Sequence, residues 1–248
     1  MRILALDSSG LVAGVAVAYA DEKEEQLVAE YTVNFKKTHS QTLLPMLDEV
    51  AKMTELDMES IDAIAVAAGP GSFTGLRIGS ATAKGLGLAL NKPLVAVPTL
   101  EGLAYNLCGA ADIVCPIMDA RRGQVYAGIY EFHKNKLIVL EDQMAIAIEE
   151  LGRKLLDYDR RIIFLGDGVP VFRDVLTEQL LKGRDISFAP CNMNRQRAAS
   201  VAALAICYYR DGKIESALEH VPEYLRVSQA EREQKERQEQ QKRMRDGL

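Results

Sequence analysis

The stretch Ile3-Leu4-Ala5-Leu6-Asp7-Ser8-Ser9-Gly10 opens the chain with an apolar run that ends on an aspartate and a small polar turn. An unbroken apolar run this short suits a buried strand, and Ser-Ser-Gly suits a sharp reversal. Val12 to Tyr19, rich in Val and Ala, reads as the returning strand. The pair is a β-hairpin with Asp7 at its tip. The same pattern comes back later. Ile113-Val114-Cys115-Pro116-Ile117-Met118-Asp119, the turn Ala120-Arg121-Arg122-Gly123 and Val125 to Phe132 make a second hairpin, again with an aspartate at the tip.

The elements around each hairpin also repeat. In the first half Gln26 to Phe35 alternates as a third strand, and Leu43, Met46, Leu47, Val50 and Met53 recur at helical spacing. Pro45 belongs near the start of that helix, where backbone N–H groups lack intrahelical partners. Ile61 to Ala68 is a buried strand, Gly69-Pro70-Gly71-Ser72-Phe73-Thr74-Gly75 a loop, and a helix runs on to about Leu90 before Leu94 to Val97 closes the half. The second half offers a strand near Leu137 to Leu140, a helix from Ile146 to Leu156 and a strand from Ile162 to Leu165. Gly166-Asp167-Gly168 and a helix through Leu181 follow. An apolar helix from Ala198 to Tyr209, stopped by Gly212, packs back on the body.

Hairpin, strand, helix, strand, glycine turn and helix, written twice, predict an α/β fold of the duplicated ribonuclease-H-like, actin-like ATPase class. Each subdomain is expected to hold a mixed five-stranded sheet flanked by helices. The expected division is 1–98, 99–220 and a C-terminal extension, 221–248, ending in a charged tail. From Ser228 that tail carries six basic and five acidic residues, with Glu231–Lys235, Glu233–Arg237 and Glu239–Arg243 spaced i,i+4, and reads as an exposed or frayed helix.

Composition narrows the function. Thirty Lys and Arg against 35 Asp and Glu leave a net charge of −5, which repels a phosphate backbone and disfavours stand-alone nucleic-acid binding. Cys108, Cys115, Cys191 and Cys207 contain no C-x-x-C pair and read as buried thiols. Asp7 to Gly10 interrupts the N-terminal apolar stretch, and Arg2 alone is a poor basic flank for a signal peptide. No segment reaches the roughly 18 unbroken apolar residues of a membrane span. A cytoplasmic protein is expected.

Several motifs invite chemistry. The first tip, through Asp7, Ser8 and Ser9, can present hydroxyls and backbone N–H groups to a nucleotide or other anion. At the second tip Arg121 and Arg122 stand where close backbone approach favours glycine, which weakens a nucleotide clamp. The alternative, that Asp7 and Asp119 brace tight turns through side-chain to backbone bonds, stays open. The Gly69–Gly75 loop fails as G-x-G-x-x-G, which needs glycine at Thr74, and lacks the lysine of G-x-x-x-x-G-K-[ST]. After it, Gly75, Gly79, Ala83 and Gly87 form a stripe of small residues on one helix face. Interior helix glycines cost about 1 kcal/mol each relative to alanine, so a close packing contact must offset them. That contact is either the chain's own body or a partner's helix. His39, His133 and His220 lack H-x-x-x-H spacing, and no serine sits in G-x-S-x-G, so neither a metal enzyme nor a triad hydrolase is predicted.

Ile3 to Ser9, His39-Ser40 with Leu43-Leu44-Pro45, Gly69-Pro70-Gly71-Ser72-Phe73-Thr74-Gly75-Leu76-Arg77-Ile78-Gly79, Pro98-Thr99-Leu100-Glu101, Asp119-Ala120-Arg121-Arg122 and Tyr224-Leu225-Arg226 resemble the TsaB (YeaZ) family over about residues 1 to 227. The resemblance implies a bacterial accessory subunit, without catalytic residues, metal or cofactor of its own. It would be needed to place threonylcarbamoyl on N6 of adenosine 37 in tRNAs reading codons that start with A. It implies a heterodimer with the paralogue TsaD, which carries the transfer, and the ATPase TsaE as third component; tRNA is met only through the complex. Carried onto this chain, the TsaD interface comprises His39, Leu43, Leu44, Leu76, Arg77, Gly79, Ser80, Ala83, Lys84 and Gly87. An Ala83→Arg substitution would test it. The same surface would support a homodimer when the partner is absent. The competing class is an actin-like ATPase or small-molecule kinase working at Asp7.

Overall fold

In the computed structural model, which describes residues 1–35 and 38–226, two sheets repeat one topology. β1 (Arg2–Asp7), β2 (Ala13–Ala20) and β3 (Glu25–Val33) form an antiparallel meander, and α1 (His39–Met53) leads to β4 (Ala63–Gly69), which pairs parallel to β1. α2 (Phe73–Leu90) and β5 (Leu94–Pro98) complete the first sheet in the order β3-β2-β1-β4-β5. After α3 (Thr99–Ala104) come β6 (Ile113–Arg121), β7 (Gln124–His133), β8 (Lys136–Ala147), α4 (Ile148–Leu155), β9 (Ile162–Leu165), α5 (Val169–Val175) and β10 (Ile186–Phe188). The second sheet runs β8-β7-β6-β9-β10, the same order, and α6 (Ala198–Arg210) follows. This is the duplicated ribonuclease-H-like, actin-like fold the sequence predicts.

β1 and β4 are central and covered on both faces, which is why they read as continuous apolar runs rather than alternating ones. On one face of the first sheet Leu4, Leu6, Val15, Ile64 and Val66 meet Leu43, Met46 and Val50 of α1 and Ala83 of α2. On the other, Ile3, Ala5, Ala16, Val95 and Val97 meet Ala198, Val201, Ala202 and Ala205 of α6. The second sheet packs Ile113, Cys115, Ile117 and Phe164 against α4 and α5, and Val114, Met118 and Tyr130 against Leu100 and Leu103 of α3.

The two halves thus exchange helices: α3 follows the first sheet's last strand and covers the second sheet, while α6 does the reverse. Alanines along α6 let it come close, so a methyl group added at Gly14 would stand 3.0 Å from Ala198 Cβ. This exchange draws the sheets together with their hairpin tips facing one another.

Local chemistry sets the element ends. Ser72 caps α2, its hydroxyl accepting from the Gly75 N–H at 3.3 Å, and Asn91 closes that helix in the left-handed region at φ 51°. The helix expected from Ile146 starts at Ile148, because β8 stays paired with β7 as far as Gln124 opposite Ala147. Beyond α6 the chain returns along the first half as a strap. Glu215 and Leu94 exchange backbone hydrogen bonds, and the Glu223 N–H donates to the Ala68 carbonyl at 2.7 Å. The charged tail from Ser228 lies outside the described residues. No helix among the described residues is long and apolar enough to cross a membrane.

Candidate functional site

The two tips converge on an open cleft of about 660 Å³ lined by Ser9, Gly10, His39, Asp119, Arg121, Tyr126 and Asp167 among others. At the first tip Asp7 is buried, and its Oδ1 accepts from the Ser9 N–H at 2.9 Å and the Ser9 hydroxyl at 2.7 Å. Burial pushes the Asp7 carboxyl up, and the two Ser9 hydrogen bonds offset part of that rise. The Ser8 hydroxyl donates to the Gly75 carbonyl at 2.9 Å, and the Ser9 carbonyl accepts from the Ser72 N–H at 2.6 Å. Both hydroxyls expected to face an anion are therefore engaged within the chain. The glycine loop has the same explanation. A methyl group at Gly71 would stand 2.3 Å from the Ser9 carbonyl oxygen, and one at Gly75 2.0 Å from that of Ser8. Glycine is needed there because loop and tip press backbone against backbone.

The second tip is braced in the same way. Asp119 Oδ1 accepts from the Arg121 N–H at 2.8 Å, its Oδ2 lies 3.2 Å from the Arg121 guanidinium, and its own N–H donates to Asp167 Oδ1 at 3.1 Å. Burial pushes the Asp167 carboxyl up as well. Arg121, Arg122 and Gly123 all take positive φ, so the tip is a tight left-handed turn. From the strap the Arg226 guanidinium donates to the Ala120 carbonyl. His39 reaches across to the Gly10 carbonyl with Nε2 at 2.8 Å, and its Nδ1 is buried without a partner among the described residues. Asp119 and Asp167 line the cleft while Asp7 is buried at the first tip, and among the described residues no three His, Cys, Asp or Glu side chains are grouped to hold a metal ion.

On the α1–α2 face, most of the residues expected to contact a partner point into the chain instead. Gly79, Ser80, Ala83 and Gly87 are buried within the chain, as are Leu43 and Leu76. A methyl group at Gly79 would meet Ser8 Oγ at 2.6 Å, and one at Gly87 would meet Ala217 Cβ and Leu94 Cδ2 at 3.0 Å. The small-residue stripe faces the chain's own hairpin tip, sheet and strap, not a partner. Ala83 has no exposed surface, so Ala83→Arg would report on folding rather than docking. What faces outward is the next stripe round the helix, Thr74, Arg77, Ala81, Gly85 and Leu88, beside Leu44 of α1. Gly85 has nothing within 4 Å of its missing side chain. Arg77 lies 3.9 Å over the Phe73 ring and donates to the Tyr224 hydroxyl at 3.3 Å, while Lys84 donates to the Leu218 and His220 carbonyls. His39 and Lys84 are half-buried.

One constellation had no signature in the sequence. Ser80 Oγ lies 2.9 Å from His220 Nε2, and His220 Nδ1 lies 2.6 Å from Glu215 Oε1. The order is that of a hydrolytic triad, but Ser80 is 3% exposed and His220 1%, so no substrate carbonyl can reach the hydroxyl. The three groups pin the strap to α2.

A family model described as TsaD, tRNA N6-adenosine threonylcarbamoyltransferase, matches residues 26–234. The tRNA threonylcarbamoyladenosine biosynthesis protein TsaB of Bacillus subtilis (strain 168) is 35% identical over 236 residues, 93% of this chain and 96% of that protein. The chain belongs to the TsaB family. TsaB of Haemophilus influenzae is 30% identical over 239 residues, 91% of this chain and 94% of its own. Among solved structures, YeaZ from Pseudomonas aeruginosa aligns with a TM-score of 0.73 at 26% identity, over 90% of this chain and 99% of that one. In this member of the family the glycines of the G-P-G-S-F-T-G loop at the first tip press against backbone.

Proposed function

We propose that the chain is a non-catalytic accessory subunit acting with a TsaD-like paralogue and a TsaE-like ATPase. The reaction is transfer of threonylcarbamoyl to N6 of adenosine 37 in tRNAs that read codons starting with A. The observation that carries this reading is the combination of near full-length kinship to proteins named for threonylcarbamoyladenosine biosynthesis with a cleft in which the Ser9 hydroxyl and the Asp119 carboxylate already bond within the chain. The Ser8 and Ser9 hydroxyls and the Asp119 carboxylate, the groups an ATPase of this fold would turn to a nucleotide, bond within the chain instead. The protein stays in the cytoplasm and works without a bound cofactor.

The paralogue docks on the outward stripe of α2 and on Leu44. Ala81 and Gly85 allow a partner helix to approach closely, while Leu88 and Leu44, each about half exposed, supply apolar area at roughly 25 cal/mol per Å² buried. The same stripe supports a homodimer when the paralogue is missing. A net charge of −5 leaves tRNA binding to the complex.

The test is modification of unmodified tRNA by TsaD-like and TsaE-like proteins with a separate purified synthase that makes threonylcarbamoyl-adenylate from threonine, bicarbonate and ATP, with and without this chain. Product that requires the chain, with none made by the chain alone, supports the reading; product unaffected by its omission refutes it. Asp119 and Asp167 at the cleft, with Asp7 buried at the first tip, keep an ATPase as the second reading. Tight, stoichiometric, magnesium-dependent ATP binding to the isolated chain by calorimetry would favour it.

A further inference from the structure

A second cavity, of about 540 Å³, opens at the other end of α6 from the cleft. The two share no lining residue. Tyr105, Leu204 and Tyr208 wall it, and Glu101 of the Pro98-Thr99-Leu100-Glu101 motif lies at its floor. Glu101 is 7% exposed; its Oε2 accepts from the Tyr208 hydroxyl, and its Oε1 has no hydrogen-bond partner among the described residues. Burial pushes this carboxyl up.

The rim has the opposite character. Lys134, Lys136 and Lys213 line it; Lys213 Nζ lies 4.2 Å over one face of the Tyr208 ring, and among the described residues none of the three lies within 4.0 Å of a carboxylate. Lys134 and Asn135, both at positive φ, form the two-residue turn between β7 and β8, and the Cys108 thiol donates to the Asn135 carbonyl at 3.4 Å. The lysine-bearing turn is thereby tied to the segment that carries Tyr105. Arg210 also lines the cavity but is paired with Glu25, leaving Asp211 as the one acidic side chain of the rim not so engaged. A pocket of this size with aromatic and aliphatic walls, a few convergent polar groups and a buried carboxyl has the anatomy of a small-molecule site.

We propose that this pocket binds a small amphipathic organic anion. Its aromatic or branched body lies against Tyr105, Leu204 and Tyr208, its phosphate or carboxylate meets Lys134, Lys136 and Lys213, and a hydroxyl or amine donates to Glu101 Oε1. The site is distinct from the cleft and from the α1–α2 face, so its occupancy does not depend on the function proposed above.

The probe is 8-anilinonaphthalene-1-sulfonate, an aromatic anion with an amine donor, titrated into the full chain and followed by fluorescence. One saturable site per chain is expected. Lys134→Glu/Lys136→Glu, on an exposed turn, and Val139→Glu, at the cavity wall, should each weaken it tenfold or more, with Leu44→Ser on α1 as an unaffected control. Phenyl phosphate and 3-phenylpropanoate are then added as competitors, and the stronger one identifies the preferred anion. Displacement by neither, no saturable binding, or binding indifferent to both pocket variants while circular dichroism shows them folded would overturn the proposal.

Discussion

A methyl group added at Gly75 would stand 2.0 Å from the Ser8 carbonyl oxygen, whereas one added at Gly85 on the same helix would meet nothing within 4 Å. Backbone cannot yield as a flexible side chain does, so Gly75→Ala should cost at least about 2 kcal/mol. Gly85→Ala gains helix propensity and should stabilise by about 0.8 kcal/mol. Urea unfolding of the two variants checks both signs. Asp167 supplies a residue-scale pH effect. Its folded-state pKa is raised by burial, so between the unfolded value, about 3.9, and the folded one the native chain binds more protons than the unfolded chain. This contribution is complete below the unfolded pKa and is lost as pH rises through the folded pKa. Asp167→Asn, whose amide oxygen can still accept from the Asp119 N–H, should therefore melt higher relative to wild type at pH 7 than at pH 4. An unchanged difference would remove burial of this carboxyl as the cause.

Among the elements, the strap from Ile214 to Arg226 has little core of its own: Leu218 and Val221 are more than two-thirds exposed. It is held by polar contacts, the Ser80–His220–Glu215 chain, Lys84 on two of its carbonyls, and Arg226 on Ala120. His220→Ala leaves a buried hydroxyl unpaired and should cost about 1–3 kcal/mol. The loss should show locally, as faster hydrogen exchange at the Leu94, Glu215 and Glu223 amides with β1 and β4 still protected. Uniform acceleration over the whole chain would mean the triad stabilises the body rather than the strap. Sequence spacing could not reveal this arrangement, because Ser80 and His220 are 140 residues apart and neither lies in a motif. α3 escaped for another reason: its six residues follow β5 without a connecting loop and are too short to show a helical period, although Pro98 and Glu101 are start signals. The hairpins were legible because apolar runs and small-residue turns act within a few residues of one another. The stripe of Gly75, Gly79, Ala83 and Gly87 was legible as a stripe, but periodicity tells which residues share a face and not what covers it.

For the whole molecule, exchange of α3 and α6 makes the halves interdependent. Residues 1–98 alone would expose the face of Ile3, Ala5, Ala16, Val95 and Val97 that α6 covers. The full chain should melt in one cooperative transition, and a 1–98 fragment should be insoluble or lack near-ultraviolet circular dichroism. A folded, monomeric 1–98 fragment would contradict the interdependence. The duplicated architecture was readable from repeated element order, while this crossing of helices between sheets is long-range packing that no local pattern records.

The outward stripe of α2 carries the proposed docking, and calorimetric titration of the TsaD-like paralogue into wild type and Gly85→Arg measures it most directly. The arginine fills open space on the free chain, so folding should be preserved while the partner's close approach is blocked. Affinity should fall at least tenfold, about 1.4 kcal/mol, with the melting temperature of the free variant no lower than that of wild type. Wild-type affinity in a folded Gly85→Arg variant would show that the paralogue does not dock on this face.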